Sequence, residues 1–216
     1  MTPILLFIIF SYNLETLNNP KVYSDSIPQT KIGEQTWTSE NLNVITFQNG
    51  DTIPQAQSAE EWQLAFEKQA PAWCWYEKNG VYLKEHGIIY NYYAISDSRQ
   101  LAPKGWSIPS SSDFLKMHTF LESISDPCLA LRDSTSWPKT TDVYVASGFN
   151  SSPSGYRGEY GFKYHNALVK YWTTSKVLSD HPRGLIDFYN IDRMGNCGIV
   201  SEAKNCGAFV RCILKY

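Results

Sequence analysis

The sequence predicts an α+β domain behind an N-terminal extension. Three observations carry that expectation: two segments repeat their apolar residues at helical spacing, several short strand-like runs separated by glycine-rich loops follow them, and no strand-helix-strand alternation is present. Neither a GxGxxG nor a Walker A pattern occurs, so nothing points to a nucleotide-binding plan. With 216 residues the chain can bury a core without covalent staples, and its formal net charge of -2, with no basic stripe, argues against nucleic acid as a partner. It is rich in rings, with 7 Trp, 14 Tyr and 10 Phe to be packed.

Taken in order, the chain opens on MTPILLFIIF, an apolar run as long as the core of a signal peptide and too short for a transmembrane helix. It lacks a leading Lys or Arg and a clean small-residue cleavage site, and no Cys occurs before Cys74, as a lipoprotein anchor would require. Together with the cysteines this run gives an expectation of export, to the medium or the cell envelope. Residues 1–30 read as this segment plus a polar linker broken by Asn-Asn-Pro and Ile-Pro, and 31–216 as the domain. Residues 31–44 suit a hairpin, or a strand entering a loop, anchored by Ile32, Trp37 and Leu42.

Residues 58–70 read as the first helix. Ser58 and Glu61 have capping-box spacing, Trp62 and Phe66 share a face, and Pro71 ends the run. Residues 71–94 set Trp73, Trp75, Tyr76, Tyr90, Tyr92 and Tyr93 around a Lys-Asn-Gly turn, a density expected of core rather than of a carbohydrate platform. The second helix follows Ser110, with Asp113 completing a capping box and Phe114, Met117, Leu121 and Ile124 on one face; His118 beside them reads as a packed side chain. Residues 126–142 look irregular. Residues 185–192 and 207–216 read as strands, the last with Ala208, Val210, Cys212 and Leu214 as its inward set.

The ordered set IGEQTWTSENLN, YNYYAISD, APKGWSIPSSSDFLKM, SGFNSSPSGYR, YWTTS and FVRC resembles the Fibrobacter succinogenes major paralogous domain over about residues 31–216. The resemblance implies a C-type-lectin-like α+β fold of two helices, short antiparallel strands and long loops, with its terminal strands paired, so that residues 36–42 lie near 209–214. It also implies a distant similarity to the formylglycine-generating and sulfatase-modifying proteins, and an exported or surface protein of Bacteroidetes or Fibrobacteres. It implies no established activity, so function has to be argued from a site.

Lectin-like folds of this kind often carry a short disulfide in the last loop and a long one from the terminal strand, which the resemblance places at Cys197–Cys206 and from Cys212 to Cys74 or Cys128. Reduced, buried cysteines are the alternative. The formylglycine-generating similarity implies a metal-dependent oxidase as the competing function, with Cys197 and Cys206 as the copper pair, although their spacing departs from that motif. Lectin-type calcium triplets are missing. Asp187, Asn190 and Asp192, with Asn196, are the loose oxygen-rich run where a calcium ion would sit, and no other cofactor is indicated.

Ser147, Ser154 and Ser175 lie near His165 and His181 in sequence without a GxSxG elbow, so no catalytic residue is assigned. A non-catalytic module binding an extracellular glycan or protein is the favoured function. Tyr156, Arg157, Tyr160, Trp172 and Arg183 supply stacking faces and planar donors, although Tyr156 and Trp172 read equally as fold-determining and Arg157 reads first as a structural tie between loop carbonyls or to a carboxylate, and residues 158–170 are where specificity is sought.

Overall fold

The structure is a computed structural model that describes residues 27–139, 144–178 and 180–215. The apolar N-terminal segment and most of the linker lie outside the described residues. Gln29 and Thr30, expected as linker, already belong to β1 (Gln29–Ile32), which pairs with β2 (Gln35–Thr38) in a hairpin. Gly33 makes its turn at φ +60°, and a Cβ there would meet the Phe120 ring at 2.9 Å, so both the backbone and the packing require glycine.

Both expected helices form. Ser58 caps α1 (Ala59–Glu67) by accepting from the Glu61 amide, while the Glu61 carboxylate reaches one residue further back than the usual box and accepts from Gln57 N at 2.7 Å. Trp62 is buried and Phe66 half-buried. In α3 (Ser111–Glu122) the Ser110–Asp113 box closes in both directions and Phe114, Met117 and Leu121 are buried; Ile124 lies past the helix and is exposed. Two single-turn helices had no periodicity to announce them, α2 (Tyr92–Ile95) and α4 (Pro127–Ala130), capped by Asn91 and Asp126.

The named strands pair antiparallel throughout. A five-stranded sheet runs β3 (Trp73–Trp75), β6 (Ile88–Asn91), β13 (Gly207–Ala208), β8 (Tyr156–Gly158), β9 (Gly161–Lys163). A meander joins β10 (Leu168–Val177), β11 (Leu185–Asp192) and β12 (Cys197–Ala203). The β1–β2 hairpin is extended by β14 (Ile213–Leu214) and β7 (Trp106–Ser107), and β4 (Glu77–Lys78) with β5 (Val81–Tyr82) makes a separate small hairpin. Trp37 is paired with Ile213, so the terminal strands meet as expected.

Residues 207–214 thread all three larger sheets. Gly207 and Ala208 pair with β6, Phe209 exchanges backbone bonds with Lys170 and Trp172 of β10, Val210 accepts from Leu42 N, and Cys212 accepts from Thr38 N. A single inward-facing set is therefore corrected: this segment is buried on both sides. Phe209 and Ile213 enter one apolar cluster with Trp37, Trp62 and Tyr171, while Ala208, Val210 and Cys212 enter the other with Tyr90 and Trp172. Between them Arg211, 2% exposed, donates to Thr38 O (3.1 Å), Phe149 O (2.6 Å), Asn150 O (3.2 Å) and Asn41 Oδ1 (2.7 Å), with its plane over the Phe149 and Tyr171 rings.

The expected Cys197–Cys206 bridge is also corrected. Cys197 pairs with Cys128 of α4, and Cys74, Cys206 and Cys212 are buried free thiols. From Cys197 the chain runs the length of β12, whose steps of about 3.3 Å put Ala203 roughly 20 Å away, and the three residues on to Cys206, reaching at most about 10 Å, do not bring the two cysteines back within bonding range.

Peptide mapping without reductant is expected to recover a Cys128–Cys197 cross-link and no other, with the three remaining thiols resisting alkylation until the protein is unfolded. Removing the bridge as the Cys128→Ala/Cys197→Ala pair, which opens a loop of separation 69, is expected to cost up to about 4 kcal/mol in chemical denaturation. Arg211→Met strands buried carbonyls and is expected to cost about 3 kcal/mol or more by the same measurement.

Candidate functional site

The residues expected to bind a ligand separate into a core group and a surface group. Trp172 is fully buried, its ring 4.4 Å from Phe188 and its Nε1 donating to Tyr90 O at 2.8 Å, so it offers no face to a ligand. Tyr156 is committed to Lys170, whose Nζ lies 3.8 Å over its ring and pairs with Glu202 at 2.5 Å. Tyr160 is 76% exposed at the turn between β8 and β9, and Arg183 is ion-paired with Glu159 beside it. Arg157 lies beneath this turn, 4% exposed.

The calcium run does not converge. Asp187 accepts from Ser111 Oγ at 2.8 Å and Ser201 Oγ at 2.6 Å, which spends it on tying α3 to the meander. Asp192 accepts from the Met194 and Asn196 amides and closes the β11–β12 turn. An odd separation along β11 sends Asp187 and Asp192 to opposite faces of the sheet. Among the described residues no group of three or more His, Cys, Asp or Glu side chains stands ready to hold a metal ion. The named serines are occupied elsewhere: Ser147 Oγ donates to Ala130 O, Ser154 bonds Ser152, and Ser175 accepts from the Ser111 amide.

Among the described residues the depressions include a shallow one of about 150 Å³ beside α1, lined by Trp62, Phe66, Glu159 and Tyr160 among others, and two that residues 77–87 help to wall. The larger is a cleft of about 430 Å³ lined by Asn41, Asn43, Glu85, His86, Asn150 and Arg211 among others. Its groups are held from below. Asn41 accepts from Arg211 and donates to His86 O at 2.8 Å, and the four bonds of Arg211 leave one of the five N–H donors of a guanidinium unspent. Asn43 Oδ1 is buried without a hydrogen-bond partner. At the edge, His86 Nε2 lies 3.3 Å from His165 Nε2, and Lys78 Nζ lies 3.5 Å from His165 Nδ1. An ammonium has only donors, so His165 Nδ1 accepts, and the proton on its Nε2 points to His86. Burial lowers both imidazole pKa values, for His86 the first cause, and for His165 ahead of the neighbouring Lys78 charge, so the pair is neutral near pH 7.

The smaller of the two that residues 77–87 help to wall is a slot of about 180 Å³ between the β4–β5 and β8–β9 hairpins. Its walls include Trp75, Tyr82, Tyr160 and Phe162, and Arg157 belongs to its lining. The guanidinium lies between the rings of Trp62 (4.8 Å) and Phe162 (4.7 Å), donates to Ser58 O at 3.2 Å, and touches Cys74 Sγ at 3.8 Å. Burial pushes the Cys74 thiol up to about 12, so it stays neutral and does not balance the Arg157 charge.

Asn43 and Arg211 escaped sequence reasoning as site residues because they sit in the ENLN and FVRC segments, which read as fold. The histidine pair, 79 residues apart, left no motif at all. Among known proteins, the family model described as the Fibrobacter succinogenes major domain matches residues 30–214. No curated protein and no solved structure matches the chain.

The lowered histidine pKa values make stability pH-dependent. Between the folded values and the ordinary value of about 6.5 the unfolded chain binds more protons, so stability is full above about 6.5 and falls as pH drops through that window. Urea titrations from about pH 8 to about pH 5 are expected to show this loss, and His165→Gln is expected to make it shallower; an unchanged slope would count against the pair.

Proposed function

The chain belongs to the Fibrobacter succinogenes major domain family, and from that premise we propose that it is a non-catalytic binding domain of the cell envelope or the extracellular space, taking an extracellular glycan in the cleft over Arg211. One observation carries the reading: the cleft is lined by pre-set polar residues with hydrogen-bonding capacity left over, Arg211 with one unspent N–H and Asn43 with a buried, unpartnered Oδ1 that turns to meet a bound sugar. Sugar hydroxyls are donor and acceptor at once, so they satisfy both kinds of group, and a site fixed by the fold gives up little entropy on binding.

Two further features support it. The Cys128–Cys197 disulfide suits an oxidising compartment, which agrees with the apolar N-terminal run. The β2–β14 pairing suits the C-type-lectin-like arrangement, in which loops away from the terminal strands are free to vary. The copper-oxidase alternative loses its ligand pair, because Cys197 is bonded to Cys128 and Cys206 is buried on its own. A protein partner in the same cleft is distinguished by experiment.

On an array of bacterial and plant glycans the folded domain is expected to bind a restricted set of structures. Asn43→Ala is expected to weaken that binding about tenfold, the worth of about 1.4 kcal/mol, while leaving the melting temperature unchanged or raised, because it removes an unsatisfied buried acceptor. Silence on the array combined with Asn43-dependent capture of a surface protein would replace the glycan by a protein; glycan binding indifferent to Asn43 would move the site elsewhere.

A further inference from the structure

We propose that the slot over Arg157 is a second binding site, for a sugar ring that carries a carboxylate. The observation behind it is a buried guanidinium that no carboxylate among the described residues touches within ion-pair distance; Glu60, exposed in the first turn of α1, feels its charge only from further off. Arg157 is 4% exposed, and its Nε is buried without a partner. Its bonds to Ser58 O and Cys74 Sγ leave three of the five guanidinium N–H donors without an acceptor. The flanking rings of Trp62 and Phe162 attract the cation by about 0.5–2 kcal/mol each. Burying an unpaired charge costs several kcal/mol, so the rings offset only part of the penalty, and an anion in the slot supplies the rest.

The lining selects the kind of anion. A planar guanidinium matches the two oxygens of a carboxylate in a forked pair. Ser58 and Ala59, at the start of the nine-residue helix α1, also line the slot, and a helix N-terminus adds partial positive charge there. Glu77 lines it as well, its Oε1 accepting from Gly80 N at 2.6 Å; this standing negative charge tolerates a monoanion and disfavours a dianion such as a phosphate monoester. Tyr82 and Tyr160, with the outer edge of Phe162, add ring surface to the lining against which the apolar side of a pyranose packs. At about 180 Å³ the slot is smaller than typical ligand pockets of about 300–1,000 Å³, which suits one terminal ring and not a chain. It shares no lining residue with the cleft over Arg211, so the two proposals stand or fall separately.

The test compares D-galacturonate with D-galactose, which differ by the carboxylate, on the folded domain, followed by calorimetry and by tryptophan fluorescence from Trp62 and Trp75. Galacturonate is expected to bind at least about tenfold more tightly than galactose and to weaken as salt is raised. Tyr82→Ala and Tyr160→Ala, at rings 45% and 76% exposed that the core does not need, are expected to lower its affinity about tenfold each. Arg157→Gln is expected to abolish binding; should it fail to fold, the two tyrosine variants decide. Asn43→Ala is expected to leave galacturonate binding unchanged, which separates this site from the cleft. Equal affinity for the two sugars, acetate, sulfate or a galactose sulfate binding as tightly as galacturonate, or no effect of either tyrosine variant, overturns the assignment.

Discussion

The guanidinium of Arg211 is the constraint on which the rest of the structure depends. It is contributed by the FVRC segment and bonded to the backbone or side chains of Thr38 and Asn41 from the IGEQTWTSENLN segment, and of Phe149 and Asn150 from the SGFNSSPSGYR segment. Each bond to a charged donor is worth about 1.5–3 kcal/mol net. Four of them, with two ring faces beneath, are of the right size to offset the cost of burying the charge. The carbonyls gain equally: those of Phe149 and Asn150 lie outside the strands and that of Thr38 at the very end of β2, where Arg211 supplies the donor. Three of the six stretches that carry the family resemblance are thus joined at one point, and separations of up to 173 residues mean that the joint is complete only when both ends of the domain have met.

Arg157 makes an instructive contrast. It too is a buried arginine between rings, in a segment that resembles the family, and sequence alone does not distinguish the two. The difference is in their accounts with neighbouring acceptors. Arg211 spends four donors on fixed oxygens and closes a joint, whereas Arg157 meets one carbonyl and one neutral thiol and borders an opening. A saturated buried cation is architecture, and it is the unsaturated one beside a cavity on which the proposal of an anion site rests.

How much was legible follows from which interactions are local. The capping boxes at Ser58 and Ser110 and the apolar faces behind them are written within a dozen residues, and both helices start where those signals put them. Ring density in residues 71–94 correctly indicated core, because large apolar faces have few other uses in such numbers. The failures concern distance in sequence. The partner of Cys197 is set by how α4 docks on β12, the lowered pKa values of His86 and His165 by burial that exists only in the folded chain, and the burial of Trp172 by the terminal segment crossing β10. Strand alternation misled at residues 207–214 for a related reason: a strand between two clusters has no outward face, and only the assembled core shows that it lies there.

The same contrast bears on where specificity resides. Residues 158–170 were expected to hold it, and Tyr160, Gly161 and Phe162 do wall the slot. The opposite wall comes from the separate hairpin β4–β5, whose two strands pair only with each other and whose Val81 and Tyr82 are exposed. Its continuation through Lys84, Glu85, His86 and Gly87 borders the cleft over Arg211. This stretch is pinned at a few points, Leu83 N to Tyr76 O, Asn41 Nδ2 to His86 O and the His86–His165 contact, and contributes little to either apolar cluster. Substitution there alters both depressions while leaving Arg211 and its joint untouched. A scaffold closed by one buried guanidinium leaves this stretch free to change without disturbing the joint, and it lies about seventy residues earlier in the chain than Tyr156 and Tyr160, the rings that first suggested a site.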